Sequence, residues 1–445
     1  MKTGLREYQK SILNELKNEK AIALFMRTGS GKTITSLAKF EELGTTHLLI
    51  VCPKSVIGQW EDNIRKEMPR RRILQFKKSH SANGKNNVLR EQSVNYDTVI
   101  VNFEVLHKLT YFLEVVDDTW TIIVDESHRI KNPDATVTKA VLKLGNKTKH
   151  KIILTATPTQ GLYGGYVDYF AQLKFLGHLN GMTKRNFENS YCITTQVSYM
   201  TSPYPIKIIT GYKNLEPLKG LLNRVSRSYT PKYNDYEPEH IKIKLEKPAS
   251  YNRLVRTRAY REIAITNLMR KRVALKTLTG GRVHGQTIGG DTIEYDDNDT
   301  KSSWLREFLE GVDTPVVLFY QYNAEKSVIL KVLRELNKTY ALVNGDTDDK
   351  LAEVRKDVEV YVGQYQAMSE SIDGLQHKSN IMIFYSLPES SLLYRQALGR
   401  IDRVGQTRPP VYYYLVMQDT VDSDIYDLIE RKVDFNENDL ERMIQ

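Results

Sequence analysis

The sequence predicts an α/β protein with two tandem doubly wound lobes, each built on a parallel sheet. Three observations lead to this fold class. Short, continuous apolar runs alternate with longer segments in residues 1–228, and the same rhythm returns in residues 301–445. Such runs are typical of strands that are buried on both faces of a parallel sheet. The segments between them are long enough for the crossover helices that parallel strands require.

The strands predicted from these runs fall into two sets of five. They are 21–26, 47–52, 98–101, 121–124 and 151–154 in the first lobe, and 316–320, 340–343, 358–362, 380–385 and 411–416 in the second. Residues 161–227 contain no clear periodic strand, so we expect helices and a surface insertion that close the first lobe.

The segment between the lobes, residues 229–300, has a different character. Residues 229–238 are rich in Pro and Tyr and predict a connector, whereas 249–279 predict one basic helix. Residues 280–299 contain two Gly-Gly pairs and an acidic stretch, which indicate a loop or hairpin. The boundary between the lobes therefore falls between Tyr229 and Lys301.

Composition limits the classes of function. Hydrophobic residues make up 40% and charged residues 27% of 445 residues, which suits a protein of two or three domains at ~150 residues each. The net charge of +10 favours a polyanionic partner such as nucleic acid. Cys52 and Cys192 form no CxxC pair, which argues against a zinc site or a disulfide framework. No apolar run approaches the ~18 residues of a membrane helix, and the N-terminal residues do not have the pattern of a secretory signal. We therefore expect a cytoplasmic protein with no membrane partner.

A phosphate-binding loop is predicted directly after the first strand. The segment reads Thr28-Gly29-Ser30-Gly31-Lys32-Thr33. Glycines let backbone N–H groups curl around an anion, and the following helix N-terminus favours negative charge. Lys32 would reach the β- and γ-phosphates, and the Thr33 hydroxyl would ligate Mg²⁺. Met26 stands where the full pattern has glycine, and the alternative is an ordinary Gly-rich turn from strand to helix.

Two adjacent carboxylates, Asp125 and Glu126, end the fourth predicted strand. Carboxylates are costly to place beside a core unless they have a function there. Asp125 would hold Mg²⁺, and Glu126 would orient and deprotonate the attacking water. A surface turn at the end of a strand is the alternative. A phosphate loop followed by this pair predicts hydrolysis of ATP or GTP.

Two further segments suit a nucleotide-driven machine. Thr155 and Thr157 follow the fifth strand, where their hydroxyls would hydrogen-bond between the nucleotide site and a moving lobe. Alone, this segment reads as a simple turn. Arg400 and Arg403 lie three apart on a predicted helix, so they would share a face and suit the charge on a transferring γ-phosphate. The alternative there is a solvated basic turn.

The order of these motifs resembles that of helicase superfamily 2, and specifically its Swi/Snf-like branch of DNA-dependent ATPases. The resemblance extends from Leu5 to about Lys432. The segments that carry it are 5–9, 49–60, 125–132, 154–160, 317–321, 344–347, 396–406 and 419–422. The sequence departs from the family in 369–376, where Ser371 occupies a glycine position, and at Ala156, where many members carry glycine.

The resemblance implies two RecA-like lobes with a nucleotide cleft between them. It implies that Gln9 reads adenine through its amide, which selects ATP over GTP. Asp373 would contact the nucleotide, and Gln396 would join Thr155 and Thr157 in coupling hydrolysis to movement. The implied contacts to the nucleic-acid backbone are Lys54, Ser55, Asn102, Gln321, Gly345, Asp346 and Thr347.

The sequence therefore predicts an ATP- and Mg²⁺-dependent motor that moves along DNA, with duplex favoured over single strands. Phosphate contacts carry no sequence information, so binding should be largely independent of base sequence. The open alternatives are a strand-separating DNA helicase, an RNA helicase and a non-enzymatic nucleic-acid binder. The compact chain resembles phage and bacterial members, so we expect a monomer in the cytoplasm, or in the host cytoplasm for a phage protein. No motif identifies a replication or nuclease protein as a partner.

Overall fold

The structure is a computed structural model that describes residues 2–27, 29–74, 82–91, 95–159, 165–197, 206–229, 237–257, 259–369 and 372–431. The chain divides into two compact units, Met1–Pro231 and Lys232–Gln445. Each unit contains its own parallel sheet, one of seven strands and one of six. The predicted α/β class with two parallel sheets is therefore confirmed.

The sheet of the first unit contains all five strands predicted for it. Its strands are β1 (Ala21–Met26), β2 (His47–Cys52), β3 (Ile73–Leu74), β4 (Thr98–Asn102), β5 (Trp120–Asp125), β6 (His150–Leu154) and, after the hairpin β7 (Cys192–Val197) and β8 (Ile206–Tyr212), β9 (Ser226–Tyr229). The seven strands other than β7 and β8 pair in parallel in the order β3-β4-β2-β5-β6-β1-β9. The prediction missed β3 and β9 because edge strands need no continuous apolar run, and β9 is a polar segment.

Helices cover both faces of this sheet. They are α1 (Glu7–Glu15), α2 (Lys32–Leu43), α3 (Ile57–Glu67), α4 (Ala82–Glu91), α5 (Phe103–Leu106), α6 (Phe112–Val115), α7 (Thr136–Gly145), α8 (Tyr169–Leu176), α9 (Lys184–Tyr191) and α10 (Leu215–Val225). Along β1, Ala21, Ala23 and Phe25 face one core, and the residues between them face the other. This double burial explains why the strand is apolar throughout.

The second unit repeats this plan with a smaller sheet. Its strands are β10 (Glu239–Leu245), β11 (Ala259–Tyr260), β12 (Ile263–Ala264), β13 (Arg282–Gln286), β14 (Thr292–Asp296), β15 (Val316–Tyr320), β16 (Tyr340–Val343), β17 (Val360–Gln364), β18 (Ile381–Phe384) and β19 (Val411–Met417). The parallel sheet runs β10-β19-β18-β15-β17-β16. The edge strand β10 comes from the segment between the predicted lobes, residues 229–300, where no strand was predicted at 239–245. Residues 280–299, predicted as a loop or hairpin, contain the antiparallel hairpin of β13 and β14.

The helices of the second unit are α11 (Ser250–Arg256), α12 (Leu268–Thr279), α13 (Thr300–Gly311), α14 (Asn323–Glu335), α15 (Lys350–Arg355), α16 (Tyr365–Met368), α17 (Ser391–Leu398) and α18 (Val421–Glu430). The prediction of one basic helix over 249–279 is wrong, because α11 and α12 are separated by the small ladder of β11 and β12. Burial of Tyr260 and Ile263 in that ladder interrupts the helix. Of the helices in the described ranges, none has both the length and the apolar character to cross a bilayer.

A buried ion pair joins several elements of the second unit. Lys301 on α13 lies 2.6 Å from Asp422 on α18, and their side chains are 0% and 4% exposed. Lys301 also donates to the Tyr385 carbonyl after β18, and Thr279 at the end of α12 donates to Asp422. Removal of one partner would leave the other charge buried and uncompensated, which is far more costly than loss of a surface pair.

Asp422→Ala should therefore lower the free energy of unfolding by about 3–5 kcal/mol. The measurement is urea denaturation followed by circular dichroism. Asp427→Ala is the matched control on the same helix, because Asp427 is 57% exposed and pairs with Lys242 at 3.6 Å. That control should cost less than about 1 kcal/mol. Equal losses for the two variants would contradict a stabilising role for the buried pair.

Candidate functional site

The loops that carry the predicted nucleotide residues meet at one edge of the first sheet. Strand β6 pairs with β1 on one side and with β5 on the other, and all three are parallel. Their carboxyl ends therefore lie side by side, as do the loops that follow them. In open α/β sheets this is the edge at which ligands bind.

The loop after β1 has the backbone of a phosphate-binding loop. Gly29 and Gly31 adopt left-handed φ angles of 81° and 75°, and α2 begins at Lys32. A Cβ on Gly31 would lie 2.7 Å from Gln9 Nε2, so that side chain would have to shift, and the left-handed φ would strain any residue other than glycine. Lys32 Nζ donates to the Met26 carbonyl at 3.0 Å, which holds it across the loop. Thr28 lies outside the described residues.

Gln9 fastens α1 to this loop. Its Nε2 donates to Thr35 Oγ1 at 3.0 Å and to the Gly31 carbonyl at 3.3 Å, and its Oε1 accepts from the Arg6 backbone N–H at 2.9 Å. Tyr8 adds a bond from its hydroxyl to the Ser30 carbonyl at 2.7 Å. Both ends of the Gln9 amide thus bond within the chain, and adenine recognition by Gln9 stays a prediction.

Asp125 is held by a hydrogen bond at each carboxylate oxygen. Trp60 Nε1 donates to Oδ2 at 2.9 Å, and the Glu126 backbone N–H donates to Oδ1 at 2.9 Å. Burial and the neighbouring Glu126 carboxylate raise the pKa of Asp125 to about 6, against the opposing effect of Lys32. Glu126 itself has a left-handed φ of 50°, a conformation that costs a residue other than glycine on the order of 1–3 kcal/mol.

These residues fit a Mg²⁺ ion that is shared with a nucleotide. In the part of the chain that the structure describes, no group of three or more His, Cys, Asp or Glu side chains could hold a metal by itself. Mg²⁺ at phosphate sites usually takes one or two protein ligands and completes its shell with phosphate oxygens and water. The raised pKa of Asp125 indicates poorly compensated negative charge, which a divalent cation would relieve. Thr33 in the first turn of α2 and Asp125 are the candidate ligands.

The loop after β6 is tied to the carboxylates. His128 Nδ1 lies 3.0 Å from Thr155 Oγ1 and 3.2 Å from Glu126 Oε2. Thr155 Oγ1 also accepts from the Thr157 backbone N–H at 3.1 Å, so the threonine segment folds around this hydroxyl. Thr157 Oγ1 is buried without a hydrogen-bond partner among the described residues. The predicted coupling residues of the first unit are therefore brought together with Glu126.

Sequence reasoning missed the contacts made by two neighbours of the site. Trp60 closes the predicted segment 49–60, but nothing in the pattern indicates its bond to Asp125. Gln172 on α8 bonds Ser127 and Pro158, the residues that follow Glu126 and Thr157. A glutamine with apolar residues on both sides in YFAQLKFL is the signal that the sequence offers.

In the second unit, Arg400 and Arg403 do not lie on a helix, so that prediction is wrong. Helix α17 ends at Leu398, and both arginines lie in the turn that follows. Burial of Ile401 at 0% exposure draws this turn into the core. The two guanidinium groups still converge, because Arg400 and Arg403 both donate to the Ile372 carbonyl.

Asp373 lies beside these arginines, 3.5 Å from Arg403. Burial opposes ionisation of Asp373, but Arg403 and hydrogen bonds from Gln376 and the Gly374 backbone lower its pKa below the usual value. Gln396 is buried, and its Oε1 lacks a hydrogen-bond partner among the described residues. Ser371, at the position where the sequence departs from the family, lies outside them.

The predicted nucleic-acid contacts lie at the carboxyl edge of each sheet. Lys54 and Ser55 form a 3-10 turn after β2, and Asn102 ends the neighbouring β4. In the second unit Gln321 follows β15, where its backbone N–H donates to the buried Glu325 carboxylate at 2.8 Å. The remaining three follow β16: Gly345 and Asp346 are exposed, and Thr347 donates to Asn344 Oδ1 at 3.0 Å.

Comparison with known proteins identifies relatives along the whole chain. The model of the SNF2-related domain matches residues 9–275. "Putative protein p41" of Acyrthosiphon pisum secondary endosymbiont phage 1 is 25% identical, over 94% of each chain. "Putative ATP-dependent helicase/translocase YwqA" of Bacillus subtilis is 24% identical over 98% of this chain.

Some of these relatives are much longer than this chain. It spans 49% of the Bacillus protein. It spans 10% of "TATA-binding protein-associated factor BTAF1" of Arabidopsis thaliana, which is 30% identical over 209 residues. Among solved structures, "Sulfolobus solfataricus SWI2/SNF2 ATPase core in complex with dsDNA" matches with a TM-score of 0.44 and 20% identity, over 97% of this chain and 91% of that one.

Trp60→Phe retains an aromatic side chain but removes the indole N–H that donates to Asp125. It should therefore weaken binding of a Mg²⁺–nucleotide. A hydrogen bond to a charged group contributes about 1.5–3 kcal/mol, so the Mg²⁺ concentration for half-maximal binding should rise roughly tenfold or more. The measurement is binding of a fluorescent ATP analogue across a Mg²⁺ series. Trp120→Phe, at the other end of β5, is the control. Identical Mg²⁺ dependence in both variants would exclude this role for Trp60.

Proposed function

The chain belongs to the family of the SNF2-related domain, and from this premise we propose that it is an ATP-hydrolysing motor that moves along double-stranded DNA. The observation that carries the proposal is the meeting of three loops at one sheet edge. The phosphate loop with Lys32, the carboxylates Asp125 and Glu126, and the segment with Thr155 and Thr157 follow three neighbouring parallel strands.

In this proposal, the backbone N–H groups from Gly29 to Gly31 and the N-terminus of α2 bind the phosphates of ATP. Lys32 neutralises charge on the β- and γ-phosphates. Mg²⁺, when held by Thr33 and Asp125, supplies Lewis-acid polarisation of the phosphate oxygens. Glu126 accepts a proton from water as the water oxygen bonds to the γ-phosphorus and the bond to the β-phosphate oxygen breaks. The products are ADP and inorganic phosphate.

We propose that Arg400 and Arg403 stabilise the charge that develops on the γ-phosphate during this step. Their convergence on the Ile372 carbonyl supports a shared function. Asp373 pairs with Arg403 at 3.5 Å, so Arg403 would exchange this carboxylate for the phosphate. Gln396, with its unbonded buried oxygen, is proposed to work with Thr155 and Thr157 in coupling hydrolysis to movement.

DNA is proposed to contact both units through its phosphate backbone. Two sets of residues are the proposed contacts: Lys54, Ser55 and Asn102 in the first unit, and Gln321, Gly345, Asp346 and Thr347 in the second. The motif forms in 125–132 and 396–406 and the net charge of +10 support DNA as the partner. If the two units bind and release the phosphate backbone of one strand in alternation, the protein would advance by one step for each ATP hydrolysed.

A strand-separating helicase is the second candidate, and the hairpin of β13 and β14 favours it. Ile288 in its turn is 94% exposed. Arg282 at the base pairs with Glu294 at 3.1 Å and with Asp296 at 2.8 Å, which anchors the two strands. An anchored hairpin with an apolar tip has the form of an element that enters a base stack. The two candidates differ in whether the duplex parts.

Glu126→Gln should bind ATP with near-normal affinity and fail to hydrolyse it, because an amide cannot accept the proton. The measurements are binding of a fluorescent ATP analogue and release of phosphate in the presence of duplex DNA. Glu114→Gln is the control, since Glu114 is an exposed carboxylate of the same unit that pairs with Arg90 at 2.9 Å and lies outside the predicted nucleotide and DNA segments. Turnover near the normal rate in Glu126→Gln would refute the role given to Glu126.

The mode of movement is tested with two substrates and ATP. A triplex loses its third strand when a motor translocates along intact duplex, whereas a forked duplex parts only by unwinding. We expect displacement from the triplex and an intact fork, because unwinding requires ~1.4 kcal/mol of stacking energy per base-pair step. Efficient unwinding of the fork, abolished by Ile288→Asp and without stimulation of hydrolysis by duplex, would instead establish the second candidate.

A further inference from the structure

Gln172 is a buried polar residue on α8 that joins two loops of the nucleotide site. Its side chain is 0% exposed. Its Oε1 accepts from Ser127 Oγ at 2.8 Å, and its Nε2 donates to the Pro158 carbonyl at 2.8 Å and to the Asp168 carbonyl at 3.0 Å. One amide group thus fastens the loop after β5 to the loop after β6.

The position is one where packing alone would favour an apolar residue. The neighbours Ala171 and Leu173 are buried and belong to the same core of the first unit. A buried amide without partners costs about 1–3 kcal/mol, whereas an apolar side chain of the same size avoids that cost. Here the amide uses both of its N–H groups and its carbonyl oxygen, so its bonds to the two loops account for its presence.

The loops linked by Gln172 carry the groups proposed to act on ATP. Ser127 directly follows Glu126, whose backbone has the unfavourable φ of 50°. Pro158 directly follows Thr157. The residue after Ser127, His128, contacts Thr155 Oγ1 at 3.0 Å and lies 3.2 Å from Glu126 Oε2. The two residues that directly follow Glu126 therefore both connect the carboxylate loop to the loop after β6, Ser127 through Gln172 and His128 through Thr155.

We propose that Gln172 is a positioning residue that fixes the position of the Glu126 carboxylate through its hydrogen bond with Ser127. It makes the carboxylate loop and the Thr155–Pro158 segment move as one body during the ATP cycle. Among the described residues, the hydrogen bonds of Gln172 go to Ser127, Pro158 and Asp168 and not to the phosphate loop or the proposed metal ligands, so Gln172 should affect the chemical step rather than ATP binding. This inference rests on the proposed function, in which Glu126 is the general base.

The test is a double-mutant cycle on ATP hydrolysis in the presence of duplex DNA. Gln172→Leu keeps the side-chain volume and removes all three bonds, and Ser127→Ala removes one hydroxyl. Gln172→Leu should lower kcat about tenfold, the effect of ~1.4 kcal/mol on the barrier. The KM for ATP should stay within about twofold of the wild-type value, because the substitution leaves the contacts that bind ATP in the ground state unchanged. The double variant should be no slower than Gln172→Leu, since both substitutions break the same chain of bonds.

Thr148→Val is the matched control for general destabilisation. Thr148 is buried in the same unit and donates to the Trp120 carbonyl at 2.7 Å, at the opposite edge of the sheet. It should lower the melting temperature without a change in kcat per folded molecule. The inference is overturned if Gln172→Leu has normal kcat, if Thr148→Val loses kcat equally at equal destabilisation, or if the two effects of the cycle add.

If Gln172→Leu fails to fold, Ser127→Ala alone is used to test the inference. It should lower kcat by about two- to tenfold, the effect of one hydrogen bond, at unchanged KM. A normal kcat in Ser127→Ala would then overturn the inference. A wild-type protein that hydrolyses no ATP would refute the proposed function itself, and this outcome is distinct from normal turnover in the variants.

Discussion

The site depends on the pairing of β6 with two neighbours at once. Leu154, the last residue of β6, is the Cα partner of Leu24 in β1 and of Asp125 in β5. This register brings the ends of β5 and β6 to one level, and β1 continues beside them to Met26. The phosphate loop, the carboxylate pair and the threonine segment then emerge beside one another. A shift of one residue in either pairing would turn every side chain of that strand to the opposite face and dismantle both cores.

The carboxyl edge of the first sheet contains energetically unfavourable charge and backbone strain, which the surrounding residues stabilise. Two carboxylates are adjacent, and Glu126 has a left-handed backbone. Trp60 and the Glu126 backbone N–H each satisfy one oxygen of Asp125, and His128 lies beside Glu126. Strained and charged groups persist where neighbouring structure fixes them, which is typical of functional sites. Burial and the Glu126 carboxylate raise the pKa of Asp125, and a cation bound beside it would favour its ionised form.

Residues whose role follows from local pattern could be predicted from the sequence. The apolar runs gave the bounds of β1 and β2, because burial on both faces leaves no polar position within a strand. The edge strand β10 was not predicted because EHIKIKL is not a continuous apolar run, although its alternation of isoleucine and lysine is typical of a strand with one exposed face. Trp60 and Gln172 were missed because they act across 65 and 45 residues of sequence. The helix predicted for Arg400 and Arg403 was wrong because α17 ends at Leu398 with Gly399 as its C-cap residue, and glycine favours the end of a helix.

The steady-state rate of ATP hydrolysis tests the central claim most directly. It is measured without nucleic acid and with single-stranded DNA, duplex DNA or RNA at equal nucleotide concentration and low salt. A motor that tracks intact DNA should hydrolyse ATP slowly alone and fastest with duplex DNA, and the stimulation should fall as salt screens the phosphate contacts. Equal rates under all four conditions, or stimulation by RNA and not by duplex DNA, would contradict it.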